Sequence, residues 1–164
     1  MTGAGAPETA SRVVVVGMGS EYRRDDGAGP AVAHRVAGHC AGVAALGPIA
    51  EPLDLLGLWD GADLAVVVDA VRSGAEPGTV RVIELAAEPE RARADDPPGT
   101  TSTHGIGLAG VLRLARAVGR APARVVVVGI EGADFGQGTG LSPAVDRAVP
   151  HAARHVMELI EEVG

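Results

Sequence analysis

The sequence predicts a three-layer α/β/α sandwich on a mostly parallel five-stranded sheet with one antiparallel edge strand. Three observations lead there. Val13–Gly17, Leu64–Asp69 and Arg124–Ile130 are short apolar, β-branched runs, as in strands buried on both faces. Segments with helical spacing separate them. The link from Asp69 to Thr79 has only nine residues and holds Gly74, Pro77 and Gly78. A parallel crossover needs a dozen or more, so the following strand runs antiparallel to its neighbour.

The elements follow in order. After the first strand, Pro30 suits the first turn of a helix over about 28–38. Val43–Leu46 is a weak second strand. Leu53–Leu58 reads as a short helix with Leu53, Leu56 and either Leu55 or Trp59 facing inward. Leu64–Asp69 is a second buried strand. Thr79–Leu85 sets Val80, Val82 and Leu85 against Arg81 and Glu84, the alternation of a half-exposed edge strand. Ala86–Thr101 is acidic, arginine-bearing and interrupted by Pro97-Pro98-Gly99, which reads as a mobile surface loop. Thr103 can cap a helix over about 104–118, with Leu108, Val111, Leu112, Ala115 and Val118 on one face. Arg124–Ile130 is the last buried strand. Ser142-Pro143 gives an N-cap and a first-turn proline. The C-terminal helix then carries Val145, Val149, Ala152, Val156, Leu159 and Ile160, and Pro150 is expected to break or kink it. Residues 1–11 read as a mobile leader and 12–164 as one domain.

Composition narrows the function. The formal charge is -7, and all 14 basic residues are arginine. Such a surface argues against broad nucleic-acid or anionic-membrane binding, and no mechanism that needs lysine is open. Cys40 is alone, which forbids an intrachain disulfide and fits a reducing compartment. The leader lacks the basic and apolar regions of a secretory signal, and no run reaches the length of a membrane span. The expected location is the cytoplasm, without membrane insertion and as a monomer.

The chemistry-bearing residues end or follow the apolar runs. Gly17-Met18-Gly19-Ser20 leads into Arg24-Asp25-Asp26-Gly27-Ala28-Gly29-Pro30. Asp69 ends the second buried run, and Ser102-Thr103-His104-Gly105 opens a helix. The carboxyl ends of central parallel strands meet at one crevice, which would gather Asp26, Asp69 and His104. Two carboxylates and an imidazole suit a divalent metal, nickel or zinc. Each residue also has a structural reading. Asp26 can compensate a helix dipole, Asp69 can cap a loop, and His104 can cap a helix. A dinucleotide site is disfavoured because Tyr22 stands where a third glycine belongs and acidic residues follow. A receiver-domain site lacks its lysine, and no nucleophile elbow Gly-x-Ser-x-Gly is present.

Taken in order, these segments resemble the maturation endopeptidases of nickel–iron hydrogenases. The resemblance extends through Val67-Val68-Asp69-Ala70-Val71, Glu76-Pro77-Gly78-Thr79, Gly129-Ile130-Glu131 and Gly140-Leu141-Ser142-Pro143. It implies an endopeptidase that removes the C-terminal extension of a hydrogenase large-subunit precursor after nickel insertion. It implies that Asp26, Asp69 and His104 are the metal-contacting and catalytic residues. The nickel would be carried by the substrate, with no permanently bound metal in the protease. Ser20, Asp25 and Glu131 are then candidates for positioning the substrate. Ser20 departs from the asparagine common in that family. A related metal-dependent peptidase or amidase of the same fold, or a non-enzymatic metal-binding assembly module, is the alternative.

Overall fold

Six apolar residues in a row, all buried, make the first strand, β1 (Val13–Met18). The computed structural model describes residues 11–40, 42–85, 101–102 and 107–164. The loop expected over 86–101 lies almost wholly outside these residues, as do residues 1–10 of the expected leader and Thr103 and His104.

The chain continues through a 3-10 turn (Arg24–Gly27), helix α1 (Ala28–Ala37) and strand β2 (Ala44–Ile49). A second 3-10 turn (Pro52–Asp54) runs into α2 (Leu55–Trp59), followed by β3 (Leu64–Arg72) and β4 (Val80–Glu84). The two-residue β5 (Thr101–Ser102), α3 (Gly107–Ala117), β6 (Arg124–Glu131) and α4 (Pro143–Val163) complete the described elements. The main sheet has the order β2-β1-β3-β6-β4, and β5 adds to β3 off that path. β1 pairs in parallel with β2 and β3, and β3 with β6. β4 lies antiparallel to β6 at the edge, as the short link after Asp69 requires. Its neighbour is β6, so the link crosses over to the far side of that strand.

Alternation along the strands divides the core into two layers. Val13, Val15, Leu64, Val66, Val68, Ala70, Val126, Val128 and Ile130 pack with residues of α1 and α4. Val14, Val16, Met18, Ala65, Val67 and Val125 pack with Leu55 and Trp59 of α2 and Val111, Leu112 and Ala115 of α3. The central strands are therefore covered on both faces.

Four local expectations need correction. Leu53 does not face inward: it is 63% exposed, because residues 52–54 form a 3-10 turn and the α-helical phase begins at Leu55. Val82 is exposed, as is Ile83, since β4 is an edge strand. Val118 is exposed because it lies beyond the last residue of α3. Pro150 does not break α4, which runs as one helix of 21 residues. Val145, Val149, Ala152, Ala153 and Val156 bury one continuous stripe across the proline. That packing outweighs the single backbone hydrogen bond proline removes.

Two glycines set how closely α1 approaches the sheet. A Cβ on Gly17 would sit 2.5 Å from the Gly29 carbonyl oxygen. A Cβ on Gly29 would sit 2.5 Å from the Met18 carbonyl oxygen and closer still to that of Val68. The start of α1 is thus wedged over the carboxyl ends of β1 and β3, where only hydrogen fits.

Candidate active site

From β1 the chain leaves toward β2 on one side, and β3 lies on the other. The order of strands therefore reverses between β1 and β3, and this is where open α/β sheets bind ligands. Asp26 lies in the turn after β1, and that turn rests against β3. Asp69 lies near the end of β3, opposite Gly129 of β6. Both carboxylates are withdrawn from water, Asp26 at 1% and Asp69 at 0% exposure. Neither is without a partner. Asp26 Oδ2 accepts the backbone N–H of Ser20 at 2.8 Å, which closes the loop after Gly19. By strand alternation Asp69 shares the phase of Ala65 and Val67, on the side covered by α2 and α3. His104 falls three residues before α3, outside the described residues. Among those described, no group of three or more His, Cys, Asp or Glu side chains could hold a metal ion.

The two remaining acids have structural partners that the sequence did not reveal. Asp25 Oδ2 accepts the backbone N–H groups of Ala133 and Asp134 at 2.8 and 2.9 Å and the Ser142 hydroxyl at 2.9 Å. Its Oδ1 accepts the Ser142 N–H at 2.7 Å. Burial alone would push this carboxyl up. The backbone donors of Ser142, Asp134 and Ala133, with the Ser142 hydroxyl, outweigh it and hold the group below the usual carboxylate value. Ser142 occupies the N-cap position of α4 as expected, but its side chain makes no cap hydrogen bond to the helix. The acceptor at this helix end is Asp25, 117 positions away in sequence.

Asp25 thereby ties the loop from β6 to α4 against the turn that carries Asp26. Backbone bonds reinforce the seam: Asp25 N–H to the Asp134 carbonyl at 2.9 Å, Arg24 N–H to that of Gly138 at 3.0 Å, and Gly138 N–H to that of Tyr22 at 2.9 Å. Arg24 is held there at φ 50, a left-handed conformation costing about 1 kcal/mol for a residue with a side chain. Asp25→Ala would orphan four donors in a buried seam. We expect a loss of about 3 kcal/mol or more of stability, read by chemical denaturation. A loss under about 1 kcal/mol would mean that the seam holds without Asp25.

Glu131 ends β6 and does similar work on the other side. Its Oε1 accepts the N–H groups of Ser73 and Gly74 at 2.8 and 3.0 Å, and its Oε2 the Ser73 hydroxyl at 2.7 Å. It closes the turn that leaves β3 after Asp69. Ser20 is partly exposed, and its hydroxyl accepts the Tyr22 N–H at 3.3 Å. All six residues named from the sequence except His104 are thus placed at the carboxyl edge of the sheet. Asp26 and Asp69 sit at the switch point itself, while Asp25 and Glu131 brace the loops around it.

The geometry defines a doubly wound α/β protein with two buried acids at its switch point. A family model described as hydrogenase maturation protease matches residues 50–159, well over half of the chain. The chain belongs to the hydrogenase maturation protease family, and it is a peptidase. It is 27% identical to the hydrogenase expression/formation protein HupD of Rhizobium leguminosarum bv. viciae, over 96% of this chain and 78% of that one. Among solved structures it is similar to the hydrogenase maturating endopeptidase HybD from E. coli, with a TM-score of 0.78 and 26% identity over 93% of this chain and 94% of that one. It is also similar to the [NiFe] hydrogenase maturation protease HybD from Thermococcus kodakarensis, with a TM-score of 0.75 and 25% identity over 91% and 99%. These structures share its five-stranded, mostly parallel sheet, and the fold read from the sequence stands.

Proposed function

We propose that this endopeptidase removes the C-terminal extension of a nickel–iron hydrogenase large-subunit precursor once nickel has been inserted. Asp26, Asp69 and His104 are the residues assigned to read that nickel. The observation that carries the reading is the placement of two buried acids at the switch point, Asp26 in the turn after β1 and Asp69 near the end of the adjacent parallel strand β3. Each of the two has a partner within the protein, so burial alone does not call for a cation; what supports the reading is that both lie at the crevice where such sheets bind ligands. His104 joins them by its family match and by its position just ahead of α3, the helix on the side of the sheet that Asp69 faces.

In this reading nickel is part of the substrate. Cysteine thiolates of the precursor hold it, and the protease offers hard oxygen and imidazole nitrogen at the remaining positions. Docking then succeeds only for a precursor already loaded with metal, which couples cleavage to assembly. Nickel can also polarise the scissile carbonyl or a water beside it. Three ligands leave coordination positions open for the substrate's thiolates, and in this reading the protease holds no metal permanently. No helix among the described residues is long and apolar enough to cross a membrane, and the proposed setting is the cytoplasm, with the protease acting as a monomer.

The test is incubation with nickel-loaded and nickel-free precursor, followed by intact mass. The expected result is loss of a C-terminal peptide from the loaded precursor alone. Equal cleavage of both would remove nickel from recognition. Cleavage of neither would favour the assembly-module alternative.

A further inference from the structure

Among the described residues, two arginines at the carboxyl edge of the sheet, on the side of α1 and α4, have no carboxylate partner. Arg23 lies three residues before Asp26, and Arg72 lies three residues after Asp69. Both are exposed, and both guanidinium groups converge on one residue, Phe135, in the loop between β6 and α4. Arg23 Nη2 donates to the Phe135 carbonyl oxygen at 3.4 Å. The Arg72 guanidinium carbon lies 4.4 Å from the centre of the Phe135 ring. The ring is buried and belongs to the core on the α1–α4 side, so it is a fixed platform.

The acids nearby are already engaged or form no ion pair with them. The Asp25 carboxylate is taken up by backbone N–H groups and Ser142. Asp134 Oδ1 accepts the Gly136 N–H at 2.8 Å. Glu21 is exposed beside the turn. The ion pairs among the described residues that involve arginine join Arg124 to Glu84 and Glu162, at the opposite end of the sheet. Arginine held over an aromatic ring keeps N–H edges that match a carboxylate in two-point contact.

We propose that Arg23 and Arg72 form a carboxylate-binding rim that grips the substrate's C-terminal extension beside the cleavage site. This rests on the reading of Asp26 and Asp69 given above. The extension enters the crevice at the metal-bearing end and leaves across Phe135. A carboxylate there completes the arginines' hydrogen bonding and adds selectivity against neutral tails. The carboxylate is supplied either by the chain terminus or by an acidic side chain within the extension.

The probes are synthetic peptides of the extension as free acid, as C-terminal amide, and with acidic side chains replaced by their amides. The nickel-loaded precursor serves for turnover. Arg23→Gln with Arg72→Gln is expected to weaken binding of the free-acid peptide and to raise KM for the precursor, each about tenfold, with kcat unchanged. The neutralised peptide that loses the same factor on the wild type, and nothing further on the double variant, identifies which carboxylate is bound. An unchanged KM and peptide affinity in a variant of unaltered melting temperature would overturn the rim. Cleavage by the wild type with no loss in the variant leaves the protease reading standing and removes the rim. Arginine-dependent peptide binding without cleavage does the reverse. Absence of both peptide binding and cleavage of the loaded precursor by the wild type sinks both.

Discussion

Asp69→Asn is expected to reduce precursor cleavage by about a thousandfold or more while the protein keeps its fold. Asp69 is fully buried at the switch point, between the buried strands β1 and β6. Asparagine has nearly the same shape and fills the same space, so packing against Ala65, Val67 and their layer is retained. What is lost is the negative charge, and with it most of the affinity for a cation, since an amide oxygen is a weaker ligand. Asparagine keeps one acceptor oxygen for the partner that Asp69 has within the protein, and the returned desolvation cost offsets what that interaction loses, so the melting temperature should stay near or above the wild-type value. The two effects must be measured on one preparation, by thermal melting and by the mass of the processed precursor. A variant that melts well below the wild type would assign Asp69 to structure. A variant that cleaves at wild-type rate would remove it from the site altogether.

Much of this architecture could be read from residue order, and physical reasons separate what could from what could not. The strands buried on both faces announce themselves as unbroken β-branched runs, because no position on them may be polar. Asp69 stands out for that reason: it is a charge inside such a run. The antiparallel edge strand follows from chain length alone, through the nine residues between Asp69 and Thr79. Its place beside β6 does not follow, since pairing across the sheet is a non-local choice. The role of Asp25 was equally hidden. Its acceptor capacity is spent on Ala133, Asp134 and Ser142, more than a hundred positions along the chain. No local pattern marks such a bond. Ser142 shows the same limit, because the sequence located the helix start but not the Asp25 carboxylate that satisfies it. Pro150 shows a local rule outweighed by packing, and the cost is tolerated because the stripe from Val145 to Val156 is buried on both sides of it.

Gly29→Ala is expected to destabilise the protein by about 3 kcal/mol or more and to cost cleavage beyond what unfolding explains. Gly29 lies in the first turn of α1, directly over the ends of β1 and β3. The added methyl group would fall 2.5 Å from the Met18 carbonyl oxygen and nearer still to the Val68 carbonyl oxygen. Both obstacles are backbone atoms of buried strands, so no side chain can swing away. Relief requires α1 to lift from the sheet. Gly17 faces the same contact from below, with the Gly29 carbonyl where its own Cβ would be. Lifting α1 also drags the preceding 3-10 turn, which carries Asp26, away from β3 and Asp69. The site should therefore open before the fold is lost. Denaturant titration gives the stability term, and processing measured well below the unfolding midpoint gives the activity term. Alanine at Gly110 is the control: that glycine lies in helix α3, and a Cβ there meets nothing within 4 Å. It should be neutral or stabilising and leave cleavage intact. If Gly29→Ala were as benign as the control, the close seating of α1 on the strand ends could not be what holds the turn carrying Asp26 against β3.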